Sequence, residues 1–380
     1  MFNFDTKMQK KTIIVLVSSD LVTDNRVTRT CREMHELGIR VELIGRKKKS
    51  SIPMTERPYK TKRIHTLFEK GAFFYASLNV QFFFLLLFRK VDGIFSNDLD
   101  TLLPAYLISK LKKVPIIYDS HELFTEVPEL TNRPRIQNIW KRIERLVFPK
   151  LTHVITVNSS IASEFEKKYN KKLHVIRNVP YRYEIQHTTR AALDLPEDKF
   201  IAIIQGSGLN IGRGVEEAIQ AISDLKHVML LIVGDGDVIP QAKNLVNSLG
   251  IEDQIKFITR LPYLEMMRYT EAADLGLSLD RALSLNYSYS LPNKIFDYIQ
   301  ANTPILCTNL KEVSQLVQSH KCGVVLPDFS IESLKREIEA LSLNGEKMMK
   351  LKENCRIAAQ IENWENERKV LHSVLDSAFL

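Results

Sequence analysis

Thr12-Ile-Ile-Val-Leu-Val-Ser18 is apolar at every interior position. A strand with one wet face alternates apolar and polar residues, so an unbroken run predicts a strand covered on both sides, as in a parallel sheet between helix layers. Working outward, the polar loop 19–25 leads into a helix through Met34 and Leu37. Gly38 stops it, and Val41-Glu-Leu-Ile44 is the next strand. The rhythm continues with strands at 93–96, 114–118, 154–157 and 174–176 and helical stretches between them. Strands alternating with helices argue a doubly wound α/β sheet.

The rhythm pauses in the polar stretch 181–198, where Leu193-Asp-Leu-Pro-Glu-Asp198 carries turn chemistry. It then restarts with strands at 200–204, 229–233, 255–258, 273–278, 304–306 and 323–326. A chain of 380 residues is long enough for two domains of ordinary size. The expected organisation is a first domain over 1–180, a linker over 181–198 and a second domain over 199–360. A final helix over 361–380, with Trp364 near its start, crosses back to the first domain.

The composition, 44% hydrophobic and 26% charged, is that of a soluble globular protein. The 4 cysteines form no CxxC pair, which points away from a zinc site or a disulfide framework and towards a reducing cytoplasm. The first ten residues are polar and no cleavage pattern follows, so no secretory leader is expected. The net charge of +8 suits nucleic acid, an anionic membrane or an anionic substrate. Arg46-Lys-Lys-Lys49, Lys60, Lys62 and Arg63 precede Phe73-Phe-Tyr75 and Val80-Gln-Phe-Phe-Phe-Leu-Leu-Leu-Phe88. The unbroken apolar run is too short to span a membrane. The first reading of Phe82–Phe88 is a helix buried between a sheet and its neighbours; the sharper one is a face resting on lipid beside the basic patch.

Ligands of open parallel sheets sit at the carboxyl ends of strands. There the first half carries Asp24, Arg26, Asp98, Asp100 and His121-Glu122. The second carries Gly206-Ser207-Gly208, Arg213, Gly234, Arg260 and Ser290-Leu-Pro-Asn-Lys-Ile-Phe-Asp297. Two such edges facing each other enclose a ligand cleft. Asn293, Lys294 and Asp297 fall near the start of a helix and on or near one face. A cation there suits a phosphate and a carboxylate suits a sugar hydroxyl. The glycines at 206, 208, 212 and 214 allow close approach of a diphosphate to the backbone and to Arg213. Their spacing is not the GxGxxG of nicotinamide sites. Asp98-Leu-Asp100 has the spacing of a metal-binding carboxylate pair, but capping by Asp100 of a helix starting at Thr101 is the favoured reading. His121 sits at the end of a buried strand, placed to bond a substrate hydroxyl or relay a proton.

Several blocks together resemble family 4 (group 1) glycosyltransferases of the GT-B fold, two Rossmann-like doubly wound domains facing across a cleft. They are Tyr118-Asp-Ser-His-Glu-Leu-Phe124, Gly206 with Arg213-Gly, Leu231-Ile-Val-Gly-Asp-Gly236, Ala272-Ala-Asp274 and Ser290–Tyr298. The resemblance implies that the second domain binds a nucleotide-sugar donor and the first an acceptor. Arg213 stands for the family's diphosphate-binding lysine, and Lys294 lies by the same phosphates or the donor sugar. Asp297 stands for the second glutamate of a paired motif, on the ribose. Arg260 and Leu261 meet the base, His121 lies near the reacting sugar, and Asp24 and Arg26 border the acceptor, with Asp98 and Glu122 on that side. Gly206, Ser207, Gly208, Gly234, Ser290 and Asn293 complete the donor side.

Three positions depart from the family pattern. Tyr289 stands where the first glutamate belongs, leaving donor hydroxyls to Ser288 or Ser290. Ser18-Ser-Asp20 replaces a glycine pair, and Asp297 is one methylene shorter than glutamate. The resemblance implies a retaining transferase without cofactor or essential metal, moving a sugar from a nucleoside diphosphate to a hydroxyl in cell-surface polysaccharide or lipid-linked glycan synthesis. No nucleic-acid partner is expected, and the cysteine usage and the basic patch point to a cytoplasmic protein, peripheral on the inner face of the membrane if that patch meets anionic lipid. The alternatives are a nucleotide-sugar 2-epimerase and an inactive membrane-surface scaffold.

Overall fold

The computed structural model describes residues 11–22 and 24–379. The polar first ten residues, from which the absence of a leader was expected, and Leu380 at the end of the expected last helix lie outside them. The chain divides into two compact units. One runs up to Asn178 and includes Arg368 onward; the other is Val179–Glu367.

The first unit is built on seven strands: β1 Thr12–Asp20, β2 Arg40–Lys47, β3 Lys60–His65, β4 Gly93–Asn97, β5 Ile116–Ser120, β6 His153–Thr156 and β7 His174–Val175. Their order is β3-β2-β1-β4-β5-β6-β7, and every pairing is parallel. The opening apolar run is a central strand: Val15 registers with Leu43 on one side and Phe95 on the other. Ile13, Ile14, Val15 and Leu16 are wholly buried, each worth about 1.5–3 kcal/mol in apolar burial. β3 has no counterpart among the expected strands. Its sequence, Lys-Thr-Lys-Arg-Ile-His, buries only Ile64, as an edge strand requires.

The helix Gly71–Leu87 corrects the reading of 82–88 as a helix buried between a sheet and its neighbours. Phe74, Leu78, Phe82 and Leu86 are inside, but Phe73, Val80, Phe84 and the following Phe88 are exposed.

The second unit repeats the plan with six parallel strands: β8 Phe200–Gly206, β9 Val228–Gly234, β10 Ile255–Ile258, β11 Leu275–Ser278, β12 Ile305–Cys307 and β13 Gly323–Val325. The order is β10-β9-β8-β11-β12-β13. The stretch 181–198 belongs to this unit. The Tyr183 N–H donates to Gln300 Oε1 at 3.0 Å, and Arg190 pairs with Asp274 at 2.6 Å. The last helix, Trp364–Phe379, has its first turn in the second unit and the rest in the first. Trp364 is wholly buried, and its N–H donates to Pro180 O at 2.8 Å. Further along the helix, His372 Nε2 lies 3.0 Å from the buried carboxylate of Glu33.

Candidate functional site

In a doubly wound sheet the strand order reverses at one point, and the crevice beyond the carboxyl ends there is the natural ligand position. In the second unit that point lies between β8 and β11. The chain leaving β8 passes through Gly206-Ser207-Gly208, with Ser207 and Gly208 exposed. It reaches Gly214, where φ is +81° and a Cβ would lie 2.2 Å from Leu279 Cβ. Glycine therefore lets the helix Val215–Ile222 start hard against the end of β11. That approach brings Arg213 onto Asp280.

Arg213 Nη1 bonds Asp280 Oδ1, and Lys294 Nζ, from the first turn of the helix Asn293–Gln300, lies 3.1 Å from Asp280 Oδ2. The Arg213 guanidinium also lies 4.9 Å from the Tyr287 ring centre. The Asp280 and Lys294 side chains are only 2% and 8% exposed, against 26% for Arg213. Burial by itself would push the Asp280 carboxyl up; Lys294 and Arg213 reverse this and hold it below the usual carboxylate range. Two cations around one carboxylate leave a net positive charge at the switch point. Both cations were expected from the sequence. Asp280 was visible only as a residue just beyond a strand, with nothing to mark its role.

The remaining donor-side residues divide. Asn293 is exposed while Lys294 and Asp297 are buried, so the three do not share one environment. The Asp297 carboxylate accepts from Tyr263 Oη at 3.0 Å and faces Gln205 Nε2 at 3.4 Å. It is thus engaged inside the unit, at the place where a ribose contact was expected. Tyr289 is half-buried, with Lys311 5.7 Å from its ring centre, and Ser290 Oγ is buried with no hydrogen-bond partner among the described residues. Arg260 is exposed and Leu261 half-buried ahead of the helix Tyr263–Ala272.

Gly234 closes β9 at φ +130°, and a Cβ there would sit 1.8 Å from Gly206 O. Backbone meeting backbone leaves nothing flexible to yield. Gly234→Ala is expected to destabilise the second unit by roughly 2–4 kcal/mol through strain and displacement of the β8 turn, read as a lowered urea midpoint with unchanged slope.

The first unit has its own switch point, between β1 and β4. Asp24 caps the helix Asn25–Glu36: its Oδ1 accepts the Val27 N–H at 3.0 Å, and its Oδ2 accepts from Ser19 Oγ at 3.1 Å. Arg26, 4% exposed, forks onto Asp119 at 2.9 and 2.7 Å and donates to Ile176 O at 2.6 Å. His121 lies between two carboxylates, Nδ1 3.3 Å from Asp98 and Nε2 3.3 Å from Asp119. Burial would lower its pKa, but Asp98 and Asp119 together raise it to about 9, so the ring is a held imidazolium at neutral pH. Two roles were expected of it, bonding a substrate hydroxyl or relaying a proton, and the held charge bears on the second. Asp119, at the end of β5, is a further residue the sequence did not single out.

The capping role given to Asp100 is also corrected. The helix is Leu99–Lys112, Asp98 occupies the capping position without a side-chain bond to the helix, and Asp98 Oδ1 instead accepts the His121 N–H at 2.8 Å. Asp100 is buried, and its carboxyl is pushed up to about 7 by that burial and by Asp98. Glu122 is half-buried beside this group.

A model described as glycosyl transferases group 1 matches residues 185–358, and one described as glycosyltransferase family 4 matches residues 24–179. Among curated proteins, a UDP-N-acetylglucosamine–N-acetylmuramyl-(pentapeptide) pyrophosphoryl-undecaprenol N-acetylglucosamine transferase of Caldicellulosiruptor saccharolyticus is 26% identical over 63% of this chain. The match covers 65% of that relative's length. Among solved structures, a sucrose-phosphate synthase from Thermosynechococcus elongatus superposes with a TM-score of 0.82 at 16% identity, over 97% of this chain and 99% of the other. Anabaena HepE in complex with UDP-glucose gives 0.70 at 14% identity, over 96% and 98%. At such identities the likeness is one of fold.

Proposed function

As this chain belongs to the family 4, group 1 glycosyltransferases of the GT-B fold, we propose that it transfers a sugar from a nucleoside diphosphate to an acceptor hydroxyl. The observation that carries the reading is the pair Arg213 and Lys294 sharing the one carboxylate of Asp280 at the β8/β11 switch point. Guanidinium and ammonium groups retain further N–H donors after bonding Asp280. Directed at a diphosphate, they stabilise the charge that grows on the leaving group. The first turn of the helix Asn293–Gln300 adds its N-terminal dipole.

The proposed reaction proceeds with retention. The bond from the anomeric carbon to the diphosphate oxygen breaks, and the acceptor oxygen bonds that carbon on the same face. The hydroxyl proton passes to the departing phosphate oxygen. A fixed pair of side-chain cations does the work a divalent ion does elsewhere, so we propose metal independence. His121, clamped by Asp98 and Asp119, then acts as a fixed cation on the acceptor side and not as a base. The named relative uses a UDP-sugar and HepE binds UDP-glucose, which makes uridine diphosphate the first donor base to test and a glycan the acceptor class.

Uridine diphosphate is expected to raise the melting temperature of the second unit in the presence of EDTA, and the product's anomeric proton coupling is expected to match the donor's. No shift with uridine, guanosine or adenosine diphosphate would overturn the donor assignment. An inverted product would overturn the proposed stereochemistry alone.

A further inference from the structure

The helix Gly71–Leu87 carries no Asp, Glu, Lys, Arg or His along its whole length. At 100° per residue, Phe74, Leu78, Phe82 and Leu86 make up one face and are buried. The opposite face is equally apolar but open to solvent: Phe73, Val80 and Phe84, with Phe88 just beyond the end, are 73%, 55%, 51% and 81% exposed. The Phe84 and Phe88 rings stack with centres 6.4 Å apart, forming a continuous ridge. The next helix, Leu99–Lys112, exposes Leu107 and Leu111 as well. An exposed apolar helix face of this kind marks an interaction site.

Charge identifies the partner. The only acid on these two helices is Asp100, which is buried. Exposed lysines stand at their ends: Lys70 before the first, Lys90 after it, and Lys110 and Lys113 at the end of the second. Lys47, Lys48 and Lys49, at the end of β2, are exposed too, and the Lys49 N–H faces the nearby Glu69 carboxylate at 3.4 Å. An apolar ridge bordered by cations matches an anionic bilayer, with acyl chains below and phosphates around. A second copy of the chain docked ridge to ridge would set lysines against lysines. Among the described residues no helix is long and apolar enough to cross a membrane, so the helix lies along the surface.

We propose that this ridge of the first unit docks on an anionic lipid bilayer, with Phe84 and Phe88 entering the headgroup–acyl boundary and the lysines meeting lipid phosphates. The proposal stands apart from the donor reading, because it uses none of the residues placed at either switch point. The test is flotation of the full chain with phosphatidylglycerol/phosphatidylcholine vesicles and with phosphatidylcholine vesicles alone. The protein is expected to float with the former at low salt and to stay behind with the latter. Phe84→Ser with Phe88→Ser is expected to weaken partitioning by about tenfold or more. Lys90→Glu with Lys110→Glu is expected to remove the preference for anionic lipid. Circular dichroism and a cooperative urea transition serve as checks that each variant is folded. Failure of the unaltered protein to float, or flotation unchanged in the folded phenylalanine variant, would overturn the proposal. So would a dimer in sedimentation that the phenylalanine variant dissolves.

Discussion

Transfer from a nucleoside-diphosphate sugar is expected to fall by roughly 10²–10³-fold when either Lys294 or Arg213 is replaced by alanine, the loss that follows when one fixed donor to a developing anion is removed. The fold is expected to survive each single change, because the cations share Asp280. With Lys294 gone, Arg213 still holds the buried carboxylate; with Arg213 gone, Lys294 does. The double variant leaves Asp280, 2% exposed, without either cation, and it is expected to lose stability by about 3–5 kcal/mol. The contrast separates chemistry from folding. Steady-state rates read the singles, and urea denaturation reads the double. Near-normal turnover in both singles would remove the assignment of the second unit's switch point as the diphosphate site.

Asp119→Asn is expected to lower the stability of the first unit by about 3–5 kcal/mol, since it leaves Arg26 buried without its bidentate partner. The pH dependence gives a second readout. Burial works to raise the Asp119 pKa, but Arg26 and His121 hold it well below the usual carboxylate range. A depressed folded pKa contributes stability that is present above the unfolded value, about 3.9, and is lost as pH falls through the folded one.

His121 is the opposite case. Its pKa is raised from 6.5 to about 9, so its contribution is complete below 6.5 and disappears as pH rises through about 9. The groups around it are Asp98, Asp119 and Arg26, with Asp100 and Glu122 nearby. In the asparagine variant only Asp98 still faces the ring as a carboxylate. The alkaline decline should therefore be smaller in total and end closer to neutrality, its onset staying at the unfolded value. Proton NMR of the His121 ring across pH 5–10 checks this directly. An unchanged ring titration in Asp119→Asn would mean that Asp119 does not govern the imidazolium.

How far the sequence could be read depended on whether a residue's role is local. Unbroken apolar runs such as 13–17 fixed the parallel strands, because only a strand covered on both faces has no need of polar alternation. The helix at Asn293–Gln300 and the cations Arg213 and Lys294 could likewise be placed from their positions after strands. Partnership could not. Asp280 and Asp119 look like any acid at a strand end until Gly214 and Arg26 bring distant cations to them. β3 was missed because an edge strand with one buried isoleucine lacks the apolar signature. The helix Gly71–Leu87 is apolar on both sides, so its composition could not say which face would be covered. Period and composition are properties of the chain taken a few residues at a time. Which carboxylate meets which cation, and which greasy face is left in water, is set by contacts between segments far apart in sequence, and only the folded units decide it.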